Sequence, residues 1–575
     1  MPILINHNII YLMKYVILLV TFVILYILYK STMENYKMSQ SPFHYIDKSQ
    51  NILELFKENV IKYPKNVALY NKSSSINYHI YYNLCCDFAL ALLGTGIMKR
   101  SRVCIMGNNS IRWLCSFLGA MFVNMIPVAL NETLTDHQLG EIIKNCTPKI
   151  LVLDNIYLLD KFIKFENKIR YVIILKGIVE TKNLEKIKII YWDEFIKHGS
   201  KITKNNLPFR IKKNRTATII YKQSINQEMK GVIITHKNIM CTLRSLLNKI
   251  LINPQNLIKL QMGKERIVSY LPLDNIFTQM FDIYLPISIV SKVYFADEYA
   301  LKSTLFTTLS NVQPTIFYGT PRIWDKVCET IEAKQDGLTN IISYMTTIPN
   351  DNIIEKIGLK KCKYRVSFGA HLSDKTRDFL RGINMPIYEI YNMNEMCGLI
   401  SLSLPMQNKF GSVGKPIGDI KIDNYEILAQ GSSLFRGYFR KDKNHLDNRG
   451  YFRTGNFGYL DKDGYLFIIG RAKDIITLDN GTTIHPVKLE ENIKKYIPLV
   501  SHVIIVGNGK KYLSALLVLK LETSKDGETT ILFSHQAQKI LEEIGSNCKT
   551  VINAEDDIII SKYIENGISN ANKLA

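Results

Sequence analysis

The chain has 575 residues, too many for one ordinary hydrophobic core, so its length predicts several domains. Hydrophobic residues make up 47% of it, which argues against a disordered chain, and its ten cysteines lack the CxxC or Cys/His spacing of a zinc site. The formal net charge is +22, but the lysines are spread along the whole length without interleaved aromatic residues, so nucleic-acid binding is not expected.

The chain begins with a long apolar run, residues 9–29, which reads IIYLMKYVILLVTFVILYILY. As a helix it would be about 31 Å long, roughly the hydrocarbon thickness of a bilayer. A cleaved signal peptide is one alternative, but residues 30–40 offer no small-x-small cleavage site. A buried helix of a soluble domain is another, but the run is not amphipathic. We predict a membrane anchor in residues 1–30, a polar tether in residues 31–50 and a cytosolic body.

From residue 52 the pattern alternates between helical and strand-like runs. NILELFKENVIKY has apolar residues at helical spacing, whereas VALYN, RVCIMG, IPVAL and KILVLD are short apolar runs typical of buried strands. Residues 110–123 are predicted to form the helix after one of these strands. Alternating strands and helices favour an α/β fold with parallel sheets. From about residue 474 the chain has strands and helices of its own, HVIIVG and SALLVLK among them, which indicates a separate small domain.

Five segments carry the motifs on which the functional interpretation depends. Residues 451–490 are the most informative, because they contain Thr-Gly-Asn and then Gly-Arg-Ala-Lys-Asp. Residues 268–326 contain LPLDN and TPRIWDK, and residues 366–398 contain SFGAHLS and EIYNMNE. Residues 411–416 read GSVGKP, and residues 497–520 read IPLVSHVIIVGNGKKYLSALLVLK.

In this order the segments resemble the adenylate-forming, or AMP-binding, superfamily, and within it the long-chain fatty acyl-CoA synthetases of the bubblegum type. The resemblance covers about residue 50 to the end. It implies a large N-terminal adenylate-forming domain of several subdomains (51–472) and a small mobile α+β lid (473–575). It also implies ATP, Mg²⁺ and coenzyme A as cofactors, a long-chain fatty acid as substrate, and a location at the endoplasmic reticulum or another internal membrane.

The resemblance assigns one group of residues to the adenine and ribose of the nucleotide. Tyr391 would stack on adenine, and Gly369 and Ala370 would let the backbone approach it closely. Asn456 lies where the family has the ribose-binding aspartate, and Arg471 would reach the ribose hydroxyls. Each residue alone would be interpreted as a core or surface residue, and only their joint order favours a binding site.

A second group would serve the phosphates and the lid. Glu395 would hold Mg²⁺ through a carboxylate oxygen, and Lys230 would contribute to catalysis from the end of the phosphate loop. Asn394 lies where the family has a serine or threonine that contacts the α-phosphate. Lys473 lies at the hinge between the two domains.

The phosphate loop departs most from the family pattern, Tyr-Thr-Ser-Gly-Thr-Thr-Gly-x-Pro-Lys-Gly-Val. Residues 221–232 read YKQSINQEMKGV, so the ends are kept and the middle is not. Ser224 and Gln227 replace the two inner glycines, whose positive φ and close backbone approach such a cradle requires. Glu228 adds a negative charge near the place of the phosphates.

Further departures follow along the chain. Asn456 keeps the shape of the family aspartate without its charge, and Asn392 replaces a glycine. Asp274 and Asn275 replace a serine and a histidine near the acyl carboxylate. Family lids end in a loop whose lysine reaches the α-phosphate, whereas residues 562–575 resemble the helix before that loop, so we expect the lid to be truncated there.

Two hypotheses therefore remain open at this point. The chain is a long-chain fatty acid–CoA ligase whose activity is weakened or lost. Alternatively, it is a non-catalytic pseudoenzyme that binds an acyl group, a nucleotide or an active paralogue.

Overall fold

A computed structural model describes residues 49–177, 186–202, 207, 211–224, 227–251, 260–336, 351–441, 446–523 and 529–573. The predicted membrane anchor and nearly all of the predicted tether lie outside these ranges. Within them, no helix is both long and apolar enough to cross a bilayer, because the longest has 17 residues. The predicted membrane-anchored location at an internal membrane is therefore corrected, since the described part of the chain gives it no support.

The first part of the chain builds a parallel five-stranded sheet, ordered β4-β3-β5-β6-β7, and a separate hairpin of β8 and β9. Every residue of β4 and β5 is buried, as expected for a parallel sheet covered on both faces. Its described elements are α1 (Ile52–Lys62), β1 (Val67–Tyr70), β2 (Ser75–Asn77), α2 (Tyr78–Gly94), β3 (Arg102–Met106), α3 (Ile111–Phe122), β4 (Ile126–Leu130), α4 (Asp136–Cys146), β5 (Ile150–Leu153), a 3₁₀ helix (Ile156–Lys168), β6 (Tyr171–Ile174), β7 (Lys188–Tyr191), α5 (Trp192–Ser200), β8 (Thr216–Gln223), β9 (Met229–Thr235) and α6 (His236–Leu251).

The predicted helices and strands of this region are confirmed, and local hydrogen bonds explain where the helices begin. Asn51 caps α1 by accepting hydrogen bonds from the amides of Leu53 and Glu54. Ser110 caps α3 in the same way through the amide of Trp113.

The second part completes a nine-stranded sheet, ordered β16-β15-β14-β13-β12-β10-β11-β1-β2, whose six central strands from β14 to β1 are parallel. The carboxyl ends of β13 and β14 meet at one edge, where ligands of such sheets bind. Its described elements are β10 (Arg266–Ser269), α7 (Ile276–Gln279), a π-helix (Met280–Tyr284), α8 (Leu285–Ile289), β11 (Lys292–Phe295), a π-helix (Ala300–Thr304), α9 (Leu305–Val312), β12 (Ile316–Gly319), α10 (Pro321–Asp336), α11 (Asp351–Lys356), β13 (Tyr364–Phe368), α12 (Asp374–Gly382), β14 (Tyr388–Tyr391), a 3₁₀ helix (Asn394–Met396), β15 (Ser401–Leu402) and β16 (Lys415–Pro416).

The third part is an antiparallel four-stranded sheet, followed by a C-terminal unit with its own hydrophobic core. The predicted strands HVIIVG and SALLVLK are β23 and β24, and the predicted last helix is α16. The described elements are β17 (Asp419–Asp423), β18 (Glu426–Gln430), β19 (Phe452–Leu460), β20 (Leu466–Arg471), a 3₁₀ helix (Ala472–Asp474), β21 (Ile476–Thr477), β22 (Thr483–Ile484), α13 (Pro486–Tyr496), β23 (Val500–Val506), β24 (Ser514–Leu519), β25 (Leu521–Thr523), β26 (Thr529–Phe533), α14 (His535–Glu543), α15 (Val551–Ala554) and α16 (Ile558–Asn572).

Polar contacts join the C-terminal unit to the large sheet. Nε2 of His371, which follows β13, lies 3.4 Å from a carboxylate oxygen of Glu491 on α13. The side-chain amide of Gln536 donates to Glu332 on α10 at 3.4 Å. These contacts bring the C-terminal unit against the edge of the sheet where β13 ends.

Candidate active site

The hairpin of β8 and β9 carries the two ends of the predicted phosphate loop. Tyr221 lies opposite Gly231, and Lys222 lies opposite Lys230. A Cβ atom at Gly231 would lie 3.0 Å from Cζ of Tyr221, so a glycine lets the strands pack there. Because directly opposite residues of an antiparallel pair project to the same side, the hairpin presents both lysines on one face.

The tip of the hairpin is closed by its own hydrogen bonds. The amide of Ser224 donates to the carbonyl of Glu228 at 2.8 Å, and the amide of Gln227 donates to the carbonyl of Ser224 at 3.0 Å. Gln227 has φ = +63°, which costs a non-glycine residue roughly 1–2 kcal/mol. Lys441 lies 3.0 Å from the Glu228 carboxylate and lowers its pKa. Two amides that a phosphate cradle needs are thus occupied, and the charge of Glu228 has a counterion.

Glu395 lies in the 3₁₀ turn after β14, and its side chain is fully buried. Its Oε1 atom lies 2.5 Å from Nζ of Lys222 and accepts a hydrogen bond from the Tyr438 hydroxyl at 2.7 Å. Its Oε2 atom and the neighbouring Oδ1 of Asn394 are buried without a hydrogen-bond partner. The carboxylate predicted to hold Mg²⁺ therefore already has a cation from the chain on one oxygen.

Residues 435–439 connect the hairpin to Glu395. This segment forms backbone hydrogen bonds with β9, and the amide of Phe435 donates to the Glu395 carbonyl at 2.7 Å. Tyr438 is thereby placed between the two groups, with its ring centre 5.6 Å from Nζ of Lys230. Burial raises the pKa of Tyr438, and the charge of Glu395 raises it further, so this hydroxyl remains a donor.

Tyr391, Asn456 and Arg471 form a second group of predicted site residues. The side-chain amide of Asn456 donates to the Tyr391 hydroxyl at 2.6 Å and to the Thr454 carbonyl at 3.2 Å. Asn456 and Arg471 are direct partners across β19 and β20. Burial raises the pKa of Tyr391, which keeps its hydroxyl protonated. The structure thus brings together three residues that are up to 80 positions apart in the sequence.

The remaining predicted site residues follow β13 and β20. Gly369 and Ala370 directly follow β13 and are exposed. Gly369 has φ = +89°, and a Cβ atom there would meet nothing within 4 Å, so glycine serves the backbone conformation and leaves open space beside it. Lys473 is exposed in the 3₁₀ helix between β20 and β21.

The residues that replace serine and histidine in LPLDN have structural roles here. Asn275 caps α7 by accepting a hydrogen bond from the amide of Phe277 at 2.7 Å. Asp274 accepts a hydrogen bond from Asn131 at 3.3 Å, and burial raises its pKa. These two side chains therefore stabilise the loop before α7.

Sequence reasoning missed Lys222 and Tyr438 as members of the site. Lys222 lies where the family loop has a threonine, and that substitution was a visible signal of an added charge. None of the motifs quoted in the sequence analysis contains Tyr438, and the pairing of its segment with β9 brings it to Glu395.

Two family models match the chain. The model of the AMP-binding enzyme matches residues 56–439, and that of the AMP-binding enzyme C-terminal domain matches residues 473–574. The first alone covers more than half of the 575 residues.

Several curated relatives match over most of their length. The long-chain-fatty-acid–CoA ligase ACSBG2 of Xenopus laevis is 30% identical over 575 aligned residues, which cover 91% of this chain and 77% of that protein. The ACSBG2 ligase of Mus musculus is 30% identical and is covered to 86%. The long-chain-fatty-acid–CoA ligase ACSBG1 of Homo sapiens is 29% identical, with 90% of this chain and 78% of that protein covered.

Solved structures share the fold at low sequence identity. The anthranilate CoA ligase AuaEII in complex with anthranoyl-AMP gives a TM-score of 0.68 at 17% identity, over 87% of this chain and 92% of that one. The o-succinylbenzoate CoA synthetase MenE of Bacillus subtilis, in complex with ATP and a magnesium ion, gives 0.63 at 18% identity, over 86% and 94%. The chain therefore has the α/β adenylate-forming fold with its C-terminal domain, and it belongs to the AMP-binding superfamily and, within it, to the bubblegum-type long-chain acyl-CoA synthetases.

Proposed function

We propose that this chain is a long-chain fatty acid–CoA ligase that works slowly. In the first step a fatty acid carboxylate attacks the α-phosphate of ATP, and an acyl-adenylate and pyrophosphate form. In the second step the thiol of coenzyme A attacks the acyl carbon, and AMP leaves. Adenylate-forming CoA ligases use ATP, Mg²⁺ and coenzyme A, and the relatives' names support a long-chain fatty acid as the substrate.

The observation that carries the proposal is the joint position of Tyr391, Asn456 and Arg471. Tyr391 offers a buried aromatic ring, and the two strands beside it offer an amide and a guanidinium. An adenine ring and ribose hydroxyls need these groups, a flat apolar surface and several hydrogen-bond donors. The exposed turn at Gly369 and Ala370 supplies a further wall for the adenine.

The phosphate side fits less well than the adenine side. Mg²⁺ requires carboxylate oxygens and space for several bound waters in an octahedral arrangement. On Glu395, Oε1 already has two donors, and the positive charge of Lys222 opposes a second cation on the same carboxylate. The residues present therefore do not fit a magnesium ion at Glu395, and we assign no step to a metal ion held there.

Other residues retain roles in this proposal. Lys230 supplies a positive charge for the phosphates, and Asn394 lies on the turn that follows β14. Lys473 is the hinge between an adenylate-forming domain of residues 51–472 and a lid of residues 473–575. The lid would rotate between the two steps.

The altered loop accounts for the low rate that we propose. Removing one preorganised donor from such a site typically slows catalysis by about 10²–10³-fold. Here two loop amides, those of Ser224 and Gln227, donate within the loop. The loss falls on the triphosphate, which only the first step uses.

The test is formation of palmitoyl-CoA from palmitate, ATP and coenzyme A by the purified full-length chain. We expect a slow, ATP-dependent reaction that Arg471→Ala reduces further. Calorimetry with AMP, which carries no β- or γ-phosphate, measures the nucleotide site separately. A matched control is Arg449→Ala, because Arg449 is an exposed arginine in the turn before β19.

The outcomes distinguish between the two hypotheses that the sequence left open, a weakened ligase and a pseudoenzyme. Palmitoyl-CoA formation above the enzyme-free rate supports a working ligase. AMP binding without any product supports a pseudoenzyme that binds a nucleotide. Absence of both product and AMP binding would refute the proposed function.

A further inference from the structure

The buried carboxylate of Glu395 is covered on its accessible side by a lysine. Nζ of Lys222 lies 2.5 Å from Oε1, and the side chain of Lys222 is 33% exposed, whereas that of Glu395 is fully buried. The Tyr438 hydroxyl donates to the same oxygen at 2.7 Å. An ion that approaches Glu395 along the lysine side chain therefore meets an ammonium group first.

The hairpin explains why the lysine lies there. Lys222 is the last residue but one of β8, two residues before Ser224, and projects on the same side as its partner Lys230. Lys230 contacts the ring of Tyr438, so both ammonium groups border the same tyrosine. With Glu395 these side chains carry two positive charges and one negative charge, a local excess suited to an anionic ligand.

An ammonium group and a divalent cation compete for such a place. Both neutralise a carboxylate, and both attract phosphate oxygens. The ammonium group, however, is part of the protein chain, whereas a bound Mg²⁺ ion keeps several water ligands. Two positively charged groups on one buried carboxylate repel each other strongly in a site of low dielectric constant. The unpartnered Oε2 and the unpartnered Oδ1 of the neighbouring residue Asn394 are the atoms at which a metal ion would still find oxygen ligands.

We propose that Lys222 is a built-in replacement for the metal ion at Glu395, so that adenine nucleotides bind this chain without a divalent cation on that carboxylate. The proposal rests on the proposed function, because it requires nucleotide binding beside Tyr391. Lys222 and Lys230 then contact the phosphates directly, and Glu395 positions Lys222.

The first experiment measures ATP binding to the full-length chain by calorimetry, once in excess MgCl₂ and once in excess EDTA. We expect the two dissociation constants of the native chain to agree within about twofold. Lys222→Thr restores the family residue, and its ATP binding should be about tenfold or more tighter with MgCl₂ than with EDTA. Lys222→Arg keeps the charge and should behave like the native chain.

The second experiment needs no nucleotide. Electron paramagnetic resonance with Mn²⁺ alone counts ions bound to the native chain, to Lys222→Thr and to Lys222→Thr combined with Glu395→Gln. We expect one additional ion in Lys222→Thr and its loss in the double variant. Lys164→Thr is the matched control, because it removes a lysine from an exposed ion pair with Asp136.

Three results would overturn the proposal, and they differ in what else they affect. Native ATP binding that weakens about tenfold or more in EDTA refutes it and leaves the proposed function intact. If the native chain binds Mn²⁺ and Glu395→Gln abolishes this binding, a metal ion occupies Oε2. That result also refutes the proposal and leaves the proposed function intact. Failure of both ATP and AMP to bind in any buffer refutes the proposed function and this proposal together. If Lys222→Thr does not fold, the native chain and Lys222→Arg in the two buffers decide.

Discussion

Asn456→Asp restores the residue that the family has at the ribose, and the structure makes its effect calculable. At present the Asn456 amide donates to the Tyr391 hydroxyl at 2.6 Å and to the Thr454 carbonyl at 3.2 Å. A carboxylate cannot donate to either group. The Tyr391 hydroxyl can reverse its role and donate to the new carboxylate, but the Thr454 carbonyl loses its partner and faces a negative charge.

The expected magnitudes have opposite signs for binding and for stability. Hydrogen bonds from ribose hydroxyls to a carboxylate exceed those to a neutral amide by about 1–2 kcal/mol. AMP should therefore bind about 5–30-fold more tightly to the variant. The lost hydrogen bond to Thr454 should lower the free energy of unfolding by about 1 kcal/mol. Arg471, the cross-strand partner of Asn456, moderates this loss by attracting the new charge.

Calorimetry with AMP measures the affinity, and thermal unfolding of the same samples measures the stability. Asn480→Asp is the control, because it makes the same chemical change in an exposed turn of the C-terminal unit. AMP affinity that is unchanged or weaker in Asn456→Asp, with a folded variant, would refute the assignment of this position to the ribose. A gain that also appears in Asn480→Asp would indicate a general effect of charge.

Three further changes test the packing and the charges of the fold. Burial raises the pKa of Asp282 from 3.8 to about 7, so the folded state holds this proton more tightly than the unfolded state, and the resulting stability is lost as the pH rises through that range. Asp282→Asn should therefore gain about 2 kcal/mol of stability relative to the native chain between pH 5 and pH 7, and a pH-independent difference contradicts this. Gly231→Ala places a methyl group 3.0 Å from a tyrosine ring and should lower the free energy of unfolding, measured in urea, by about 1–3 kcal/mol. Gly382→Ala is the control and should not destabilise the chain, because a Cβ atom there meets nothing within 4 Å. Tyr438→Phe removes a hydrogen bond to the buried carboxylate of Glu395 and should lower the free energy of unfolding by about 2 kcal/mol. An unchanged unfolding midpoint would contradict the burial of that charge.

The parts of the fold that sequence predicts well are those set by local pattern. The strands IPVAL and KILVLD are apolar at every position because both faces of their sheet are covered, and such runs are visible without a structure. The order of the motifs was enough to identify the family and to select Tyr391, Asn456 and Arg471. Asn456 meets Arg471 through strand pairing and Tyr391 through a contact between two sheets, and no local pattern contains either.

The phosphate side shows what local pattern does not predict. The sequence indicated which family residues the loop lacks, but not what the new residues do. Lys222, Glu395 and Tyr438 come from three segments that are distant in the sequence, and the pairing of residues 435–439 with β9 brings Tyr438 to the other two. The predicted membrane location, in turn, depended on residues 9–29 alone, and no helix of the described residues adds to it.

The differences from the family are concentrated on one side of the nucleotide, and this predicts unequal damage to the two reaction steps. ATP must present three phosphates to a loop whose amides are occupied, whereas the acyl-adenylate presents one. The groups for adenine and ribose, Tyr391 and Arg471, serve both ligands equally. Palmitoyl-adenylate supplied with coenzyme A should therefore give palmitoyl-CoA about 10²–10³-fold faster than palmitate supplied with ATP and coenzyme A. Arg471→Ala should slow both reactions and leave their ratio unchanged. Equal rates from palmitoyl-adenylate and from palmitate with ATP would mean that the altered loop does not limit adenylation. If palmitoyl-adenylate and coenzyme A form thioester no faster than without enzyme, the second step is lost as well.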